Sequence, residues 1–268
     1  KMHRQLVQIS FEPHFQGKEI QCGQELNIHN EEWKISELAM FFHQFSLNKS
    51  IPIILDDNEW QSQNLVLIRS KSNCKQLMHN LSVVGSAETS APDSLMKALF
   101  DRASGSGLQE TATLSFQLGV PFDLNHQNPL LQPSPLNDSS MFWAWRNGHK
   151  FVRWDMQSND ANTWSFHLGS VGCESAAMVR APKQACAQPN VLPFNLELSP
   201  DSIQIMDKQL TNNVGVSEQV IHIMLKLNLD QIIANIKPSD DSTCMFSGMN
   251  NHMCGDLVKN LQEGSVFE

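Results

Sequence analysis

The stretch Gln5-Leu6-Val7-Gln8-Ile9-Ser10-Phe11 alternates apolar and polar residues. Because successive side chains of a strand point to opposite faces of a sheet, this pattern predicts a half-buried β-strand. The same alternation recurs at residues 112–118, 150–154 and 191–198. Short strands separated by turn residues are typical of β-sandwiches. The sequence therefore predicts an all-β, sandwich-like fold, and because nothing in it reads as an interdomain linker, we expect residues 1–268 to form a single domain.

The remaining segments indicate a few further elements. Two apolar runs, 51–55 and 65–68, flank the polar stretch 56–64 and could form a hairpin. Helical signals are fewer and predict short helices at 94–103 and 230–236. We also expect a strand within 199–209 and an ordered surface loop at the proline-rich stretch 129–135.

Composition excludes several functional classes. The formal net charge is −9, so a basic face for nucleic acid is not expected. No apolar run approaches the roughly 18 residues that a membrane-spanning helix needs. The sequence contains no GxSxG, P-loop, GxGxxG or HExxH motif, and we therefore expect a protein that is not an enzyme.

The cysteines indicate the compartment. Six are present, at positions 22, 74, 173, 186, 244 and 254, and none belongs to a CxxC pair. An even number at wide spacing is typical of three disulfides in an oxidising compartment. The alternative is six buried thiols in a cytosolic protein. We favour a periplasmic or secreted protein.

The middle of the chain carries an ordered set of motifs. In sequence order they are Gly119-Val120-Pro121-Phe122-Asp123-Leu124-Asn125-His126, Pro133-Ser134-Pro135-Leu136-Asn137, Met141-Phe142-Trp143-Ala144-Trp145, Phe166-His167-Leu168-Gly169-Ser170 and Gly172-Cys173. This order closely resembles the MbnP family, which is also known for its four-cysteine motif and is related to the MopE and CorA copper-binding proteins. The resemblance runs from about Phe11 to Cys254, nearly the whole chain.

The resemblance implies an extracytoplasmic copper-binding protein with copper as its cofactor. Members of the family are encoded beside MbnH, a di-haem protein related to cytochrome c peroxidases, which the resemblance makes the expected partner. In the related proteins a tryptophan is oxidised to kynurenine at the copper site. The family order of the cysteines also implies three disulfides: Cys22–Cys74, Cys173–Cys186 and Cys244–Cys254.

Two residues are the predicted metal-site residues. His126 lies between a Gly-Val-Pro-Phe turn and the proline-rich loop, where a rigid backbone could hold an imidazole for copper. The alternative is a histidine whose two nitrogens satisfy loop backbone groups. Trp60 lies in a polar loop within reach of an oxidising partner and is the kynurenine candidate. The alternative is an aromatic anchor packed on the edge of the sandwich.

The sequence departs from its relatives near these residues. The related proteins carry a histidine two residues after the modified tryptophan and a His-x-His pair later, but Ser62 and Asn128 occupy the matching positions. His149 stands where the family usually has tyrosine. By this alignment, two histidine ligands of the related proteins are missing here.

Two alternative functions remain open. One is a metal-free β-sandwich that serves as an interaction module. The other is a carbohydrate-binding module in which Trp143 and Trp145, placed on one face of one strand, form a platform for sugars. His167 is interpreted as a structural histidine that holds the following Leu-Gly-Ser turn.

Overall fold

The computed structural model describes residues 3–62, 65–72, 79–89, 112–209, 217–245 and 252–268. Within them, the strands are β1 His3–Phe15, β2 Lys18–Glu19, β3 Glu25–Ile28, β4 Glu31–Leu47, β5 Ile51–Leu55, β6 Gln61–Ser62, β7 Leu65–Lys71, β8 Ser82–Thr89, β9 Thr113–Leu118, β10 Phe142–Ala144, β11 Gly148–His149, β12 Val152–Ser158, β13 Thr163–Leu168, β14 Leu192–Glu197, β15 Ile203–Gln209, β16 Ser217–Asn228 and β17 Cys244–Met245. The fold is all-β and sandwich-like, as the sequence predicts.

The helical elements are short. The α-helices are α1 Phe122–Asn125, α2 Leu229–Ile232 and α3 His252–Glu263. Single turns of 3-10 helix occupy Pro129–Leu131, Ser139–Met141, Pro200–Ser202 and Asp240–Ser242.

Among the described residues, 15 strands form one mixed sheet with two connected parts, and β10 and β11 form a separate two-stranded sheet. One part follows the order β15-β16-β1-β8-β5, in which β1 and β16 are parallel. The other part is built around β4, which pairs with β3, β7, β9 and β12. From β12 the sheet continues through β13 to β17. The pairing of β4 with β5 joins the two parts.

The long strand β4 changes partners along its length. Its residues up to Met40 pair with β12, and those from Phe42 onward pair with β9. The register shifts between His43 and Ser46, and Gln44 has a φ of 55°. Such a bulge bends a strand and increases its local twist. The bend lets β4 pair with β12 along its first part and with β9 along its second part.

An aromatic core joins the two layers. Phe11 of β1 stacks on Phe42 of β4, with ring centroids 4.9 Å apart, and both side chains are buried. Phe267 packs edge-on against both rings. These contacts between strands of different layers show that the apolar faces oppose each other, as in a sandwich. The cluster is completed by Phe45, Phe116 and Phe194.

Most predicted strands are confirmed. The stretch 5–11 lies within β1, and those at 112–118, 150–154 and 191–198 correspond to β9, the start of β12 and β14. The strand predicted in 199–209 begins only at Ile203, after a 3-10 turn. The predicted helix 230–236 is the shorter α2, and the predicted helix 94–103 lies outside the described residues.

One predicted pairing is wrong. The runs 51–55 and 65–68 are both strands, but they do not form a hairpin with each other. β5 pairs with β4 and β8, whereas β7 pairs with β4 and with the two-residue strand β6. Strand β6 pairs with the start of β7, and β4 pairs with β7 along its length.

Candidate metal centre

His126 lies directly after the single turn α1, and its side chain is buried. Its Nδ1 lies 3.0 Å from the backbone oxygen of Trp145. A carbonyl oxygen only accepts hydrogen bonds, so Nδ1 carries the proton and Nε2 presents a lone pair. Burial lowers the pKa of His126, although the bond to Trp145 acts in the opposite direction. The imidazole is therefore held in one orientation and in the neutral form that metal binding requires.

The Nε2 atom of His126 faces a disulfide. It lies 3.6 Å from Sγ of Cys186, which is bonded to Cys173. The imidazole nitrogen and the two sulfurs all lie within 4.8 Å of one another. Sulfur in a disulfide has no thiolate charge to give to a metal, so in this oxidised state only the imidazole offers a ligand atom of ordinary strength.

The chain around this disulfide is held at both ends. Val171 and Gln188 exchange backbone hydrogen bonds of 2.8 and 2.9 Å, and Ala187 donates to Gly172. Gly172 has a φ of 69°, and a Cβ atom there would lie 2.7 Å from Cβ of Ala187. A glycine is thus required where the two segments meet beside Cys173.

Asn125 connects His126 with a second buried histidine, His149. The Asn125 amide nitrogen lies 3.3 Å from both Nε2 of His126 and Oγ of Ser170, and its oxygen accepts from the backbone nitrogen of His149 at 2.7 Å. Gly148 has a φ of 77°, and a Cβ there would lie 2.5 Å from the Asn125 oxygen. The close approach of Gly148 to the Asn125 side chain explains why this position is a glycine.

His149 is packed as a structural residue. Its Nδ1 and Nε2 each lie 3.0 Å from a backbone oxygen, of Asn125 and Leu136 respectively. The side chain is fully buried, and burial lowers its pKa. Because a carbonyl oxygen faces each ring nitrogen, neither nitrogen of His149 is open to a metal in this geometry.

Trp60 ends the turn that precedes β6. Oδ1 of Asn58 accepts from the backbone nitrogens of Trp60 and Gln61, at 2.7 and 3.1 Å. The buried Gln61 amide donates to the backbone oxygens of Asp56 and Val84, which fixes the turn from inside. The Trp60 side chain itself is half-buried.

The structure does not bring the two predicted site residues into contact. Among the described residues, no hydrogen bond, ion pair or ring contact joins Trp60 to His126. Ser62 lies in β6, and Asn128 caps the following 3-10 turn by accepting from the backbone nitrogen of Leu130 at 3.0 Å. Asn128 therefore has a local structural role at the position where the family resemblance predicts a histidine.

Two of the implied disulfides are present: Cys173–Cys186 and Cys244–Cys254. Cys22 also takes part in a disulfide. Its expected partner, Cys74, lies outside the described residues, so the Cys22–Cys74 pairing stays a prediction.

A layer of charged side chains lies on the outer face of β4, β7, β12 and β13. Glu37 contacts Arg69 at 3.0 Å and Arg153 at 3.3 Å, and Arg153 in turn contacts Asp155 at 2.7 Å. The segment around Ser140 covers this layer, because the side chain of Arg69 and that of Arg153 both bond to it. Sequence reasoning missed the layer, although Arg153 and Asp155 alternate with buried apolar residues along β12.

His167 belongs to this layer and not to the turn that follows it, so the predicted role in holding that turn is wrong. Its Nε2 bonds to Oδ1 of Asp155 at 2.7 Å, and Ser165 donates to the same oxygen. Burial by itself raises the pKa of Asp155, but the bonds from His167, Ser165 and Arg153 outweigh it and hold the pKa well below its usual range.

The predicted sugar platform is not formed as expected. Strand β10 ends at Ala144, so Trp143 is in the strand whereas Trp145 lies in the turn that follows. Both side chains are only half-buried. The Nζ atom of Lys150 lies over the Trp143 ring at 5.5 Å, and His167 packs against the same ring. The two tryptophans therefore do not share one face of one strand.

Comparison with known proteins agrees with this picture. A family model described as MbnP matches residues 4–246. The solved structure of MbnP from Methylosinus trichosporium is similar in fold, with a TM-score of 0.68 and 23% sequence identity over 95% of this chain and 87% of that chain. No curated protein matches the chain. Within the described residues, none of the helices is both long and apolar enough to cross a lipid bilayer.

Proposed function

Because this chain belongs to the MbnP family, we propose that it is a single-domain, extracytoplasmic copper-binding protein and not an enzyme. Family membership and the cluster of His126, Cys173 and Cys186 together indicate a role related to metals. The proposal goes further than this in naming copper as the metal, an extracytoplasmic compartment and a haem protein as the partner. The disulfides support the compartment, since they persist in oxidising surroundings.

The orientation of His126 carries the proposal. Its Nδ1 proton is fixed by the Trp145 carbonyl at 3.0 Å, an arrangement that metal-ligating histidines commonly share. The lowered pKa of His126 favours the neutral imidazole, whose Nε2 lone pair faces the Asn125 amide and Sγ of Cys186. An imidazole nitrogen suits copper, so this residue fits the proposed metal as one of its ligands. Further ligands would have to come from other groups.

A titration of the oxidised protein tests this function. The wild-type protein should bind about one copper ion in competition with a chromogenic chelator. His126→Ala should weaken binding by roughly tenfold or more, because it removes a ligand. His222→Ala is the matched control, since His222 lies on β16 and bonds to Ser10 at 2.7 Å, in the other part of the sheet. Unchanged affinity in His126→Ala would contradict the assignment of this ligand.

The proposed partner of this protein is a di-haem protein of the cytochrome c peroxidase type, and Trp60 is the residue that it oxidises. Converting the side chain to kynurenine cleaves the bond between C2 and C3 of the indole, adds oxygen at both carbons and loses C2 as formate. The residue gains one oxygen and loses one carbon overall. The oxidant would be peroxide activated by the haem partner, so protein produced alone should keep an intact tryptophan.

The half-buried position of Trp60 at the end of a surface turn supports this target. Trp33, Trp154 and Trp164 are fully buried and offer an internal comparison. Peptide mass spectrometry after treatment with the haem partner and peroxide should find the modification at Trp60. Modification of another tryptophan, with Trp60 intact, would overturn this target without affecting the copper titration.

A specific observation favours protein docking as a second candidate function. Leu130 and Leu131, in the 3-10 turn Pro129–Leu131, are 84% and 82% exposed. Two adjacent leucines with this exposure on an ordered turn are typical of a contact surface for another protein. Docking of the haem partner and docking without any metal function would both use such a surface.

A further inference from the structure

We propose that the Cys173–Cys186 disulfide masks a second kind of metal site: when it is reduced, the two thiolates and His126 bind a soft metal ion, Cu(I). The site goes beyond the proposed function, because that function concerns the oxidised protein. The observation behind it is the placement of one imidazole nitrogen and two sulfurs within 4.8 Å of one another.

The spacing of His126 and Cys186 already suits a metal. Nε2 of His126 and Sγ of Cys186 are 3.6 Å apart. Bonds of roughly 2.3 Å to sulfur and 2.0–2.1 Å to nitrogen at a tetrahedral angle place the two ligand atoms about 3.5 Å apart. The Nδ1 proton is held by the Trp145 carbonyl, which keeps Nε2 directed at the sulfur without any metal present.

The two sulfurs would have to separate. Sulfurs joined in a disulfide are about 2 Å apart, whereas two sulfurs on one tetrahedral metal lie roughly 3.8 Å apart. Cys186 is buried beside His126, but Cys173 is half-buried and is followed by a largely exposed loop without strands or helices. The movement therefore falls on Cys173, at the less packed end of the pair.

A dithiol reductant supplies the electrons for opening the site. Its thiolate attacks Sγ of Cys173, the more accessible sulfur, and the bond to Cys186 breaks. Sγ of Cys186 leaves with the electron pair and takes up a proton. The second thiol of the reductant then displaces Cys173, which also takes up a proton, and the reductant ends as a disulfide. Binding of the metal releases both thiol protons.

The choice of metal follows from the ligands. Two thiolates and one imidazole are soft or borderline donors, and thiolates select Cu(I) among the copper oxidation states. In the oxidised protein, only the imidazole among these three groups is a strong ligand. Oxidation of the thiolates would thus release the metal, and the disulfide would act as a redox-dependent closure of the site.

The closing experiment needs no global reduction, because a single substitution exposes part of the site. Cys173→Ser leaves Cys186 as a free thiol beside His126 while the Cys244–Cys254 disulfide stays intact. Cys244→Ser is the matched control, since it leaves Cys254 free at a disulfide whose sulfurs make no hydrogen bond to a histidine among the described side chains. Cu(I), added without oxygen, is measured by competition with a chromogenic Cu(I) chelator.

The expected result is that Cys173→Ser binds Cu(I) roughly tenfold more tightly than Cys244→Ser, and that adding His126→Ala abolishes the difference. Wild-type protein reduced by a dithiol, then freed of it, should bind Cu(I) more tightly than the Cys173→Ser, Cys186→Ser double variant reduced and freed of the dithiol in the same way. Equal affinities in both comparisons would overturn the inference. Copper binding by oxidised wild-type protein is scored separately, so loss of the proposed function and loss of this site give different results.

Discussion

Asp155 on β12 and His167 on β13 are joined by a bond of 2.7 Å between Oδ1 and Nε2, within a charged layer that the rest of the fold largely covers. The Asp155 side chain keeps 17% exposure and the His167 side chain 5%. The pair shows that the charges on this face of the sheet are structural. It also provides the clearest pH-dependent property of the protein.

Asp155→Asn should lower the free energy of unfolding by about 2–3 kcal/mol at neutral pH. The loss is smaller than for a fully buried pair, because Asp155 remains partly exposed. The substitution removes the charge that Arg153 and His167 face. Urea unfolding measures the change. Glu263→Gln, at the exposed pair with Lys259, is the control and should change stability by less than about 0.5 kcal/mol.

The same pair predicts how stability depends on pH. The folded pKa of Asp155 lies below the ordinary value of 3.8, so its stabilisation is complete above that value and is lost as the pH falls toward the folded pKa. The free energy of unfolding of the wild type should therefore fall below a pH of about 4, with a shallower slope in Asp155→Asn. Identical slopes in the two proteins would contradict the lowered pKa.

Gly148→Ala should destabilise the protein by disturbing Asn125. The added Cβ would lie 2.5–2.6 Å from the atoms of the Asn125 amide group, at a φ of 77°. Gly17→Ala is a close control, because Gly17 has a φ of 74° but no atom within 4 Å of an added Cβ. We expect a loss of about 1 kcal/mol at Gly17 and about 2–4 kcal/mol at Gly148, measured by thermal unfolding. Equal losses would show that backbone conformation alone explains the glycine.

Peptide mapping without reduction should recover Cys173–Cys186, Cys244–Cys254 and Cys22–Cys74. The first two close loops of 13 and 10 residues by sequence separation. Removing either should cost about 3 kcal/mol, chiefly by freeing the unfolded chain. A peptide that links Cys22 to any cysteine other than Cys74 would disprove the pairing implied by the family.

Replacing Leu130 and Leu131 by serine should leave stability within about 0.5 kcal/mol of wild type, since both side chains are exposed. Binding to the haem partner should weaken, and surface plasmon resonance measures it. Ile54→Ser, on β5 and 50% exposed, is the control for a general loss of apolar surface. If both changes weaken binding equally, the leucine turn is not the contact surface.

Local sequence patterns predicted the strands better than their partners. Val7, Ile9 and Phe11 alternate along the chain and are all at most 2% exposed, because the period of two is a property of the strand itself. The pairing of residues 51–55 with 65–68 was wrong, because β5 pairs with β4, which ends at Leu47 just before it, and with β8, whereas β7 pairs with β4. The apolar pattern of the two runs does not specify which strand becomes the partner of each.

The candidate site, too, could be predicted only in part from the sequence. The sequence singled out His126 from its rigid surroundings, but its contacts with the Trp145 carbonyl and with Cys186 come from residues 19 and 60 positions away. The charged layer was missed because Glu37, Arg69 and Asp155 look like the solvent-facing residues of amphipathic strands. The segment around Ser140 covers that face, and no local pattern announces such a cover.

The parallel pairing of β1 with β16 has a consequence for the order of events during synthesis. Gln5 donates to the backbone oxygen of Gln219, a partner 214 residues later in the chain, and Leu6 to His14 align with Val220 to Asn228. One edge of β1 therefore waits for a partner strand that is synthesised more than 200 residues later. Contacts of such long sequence separation slow folding. The newborn chain must be protected from aggregation at that open edge until β16 has been made.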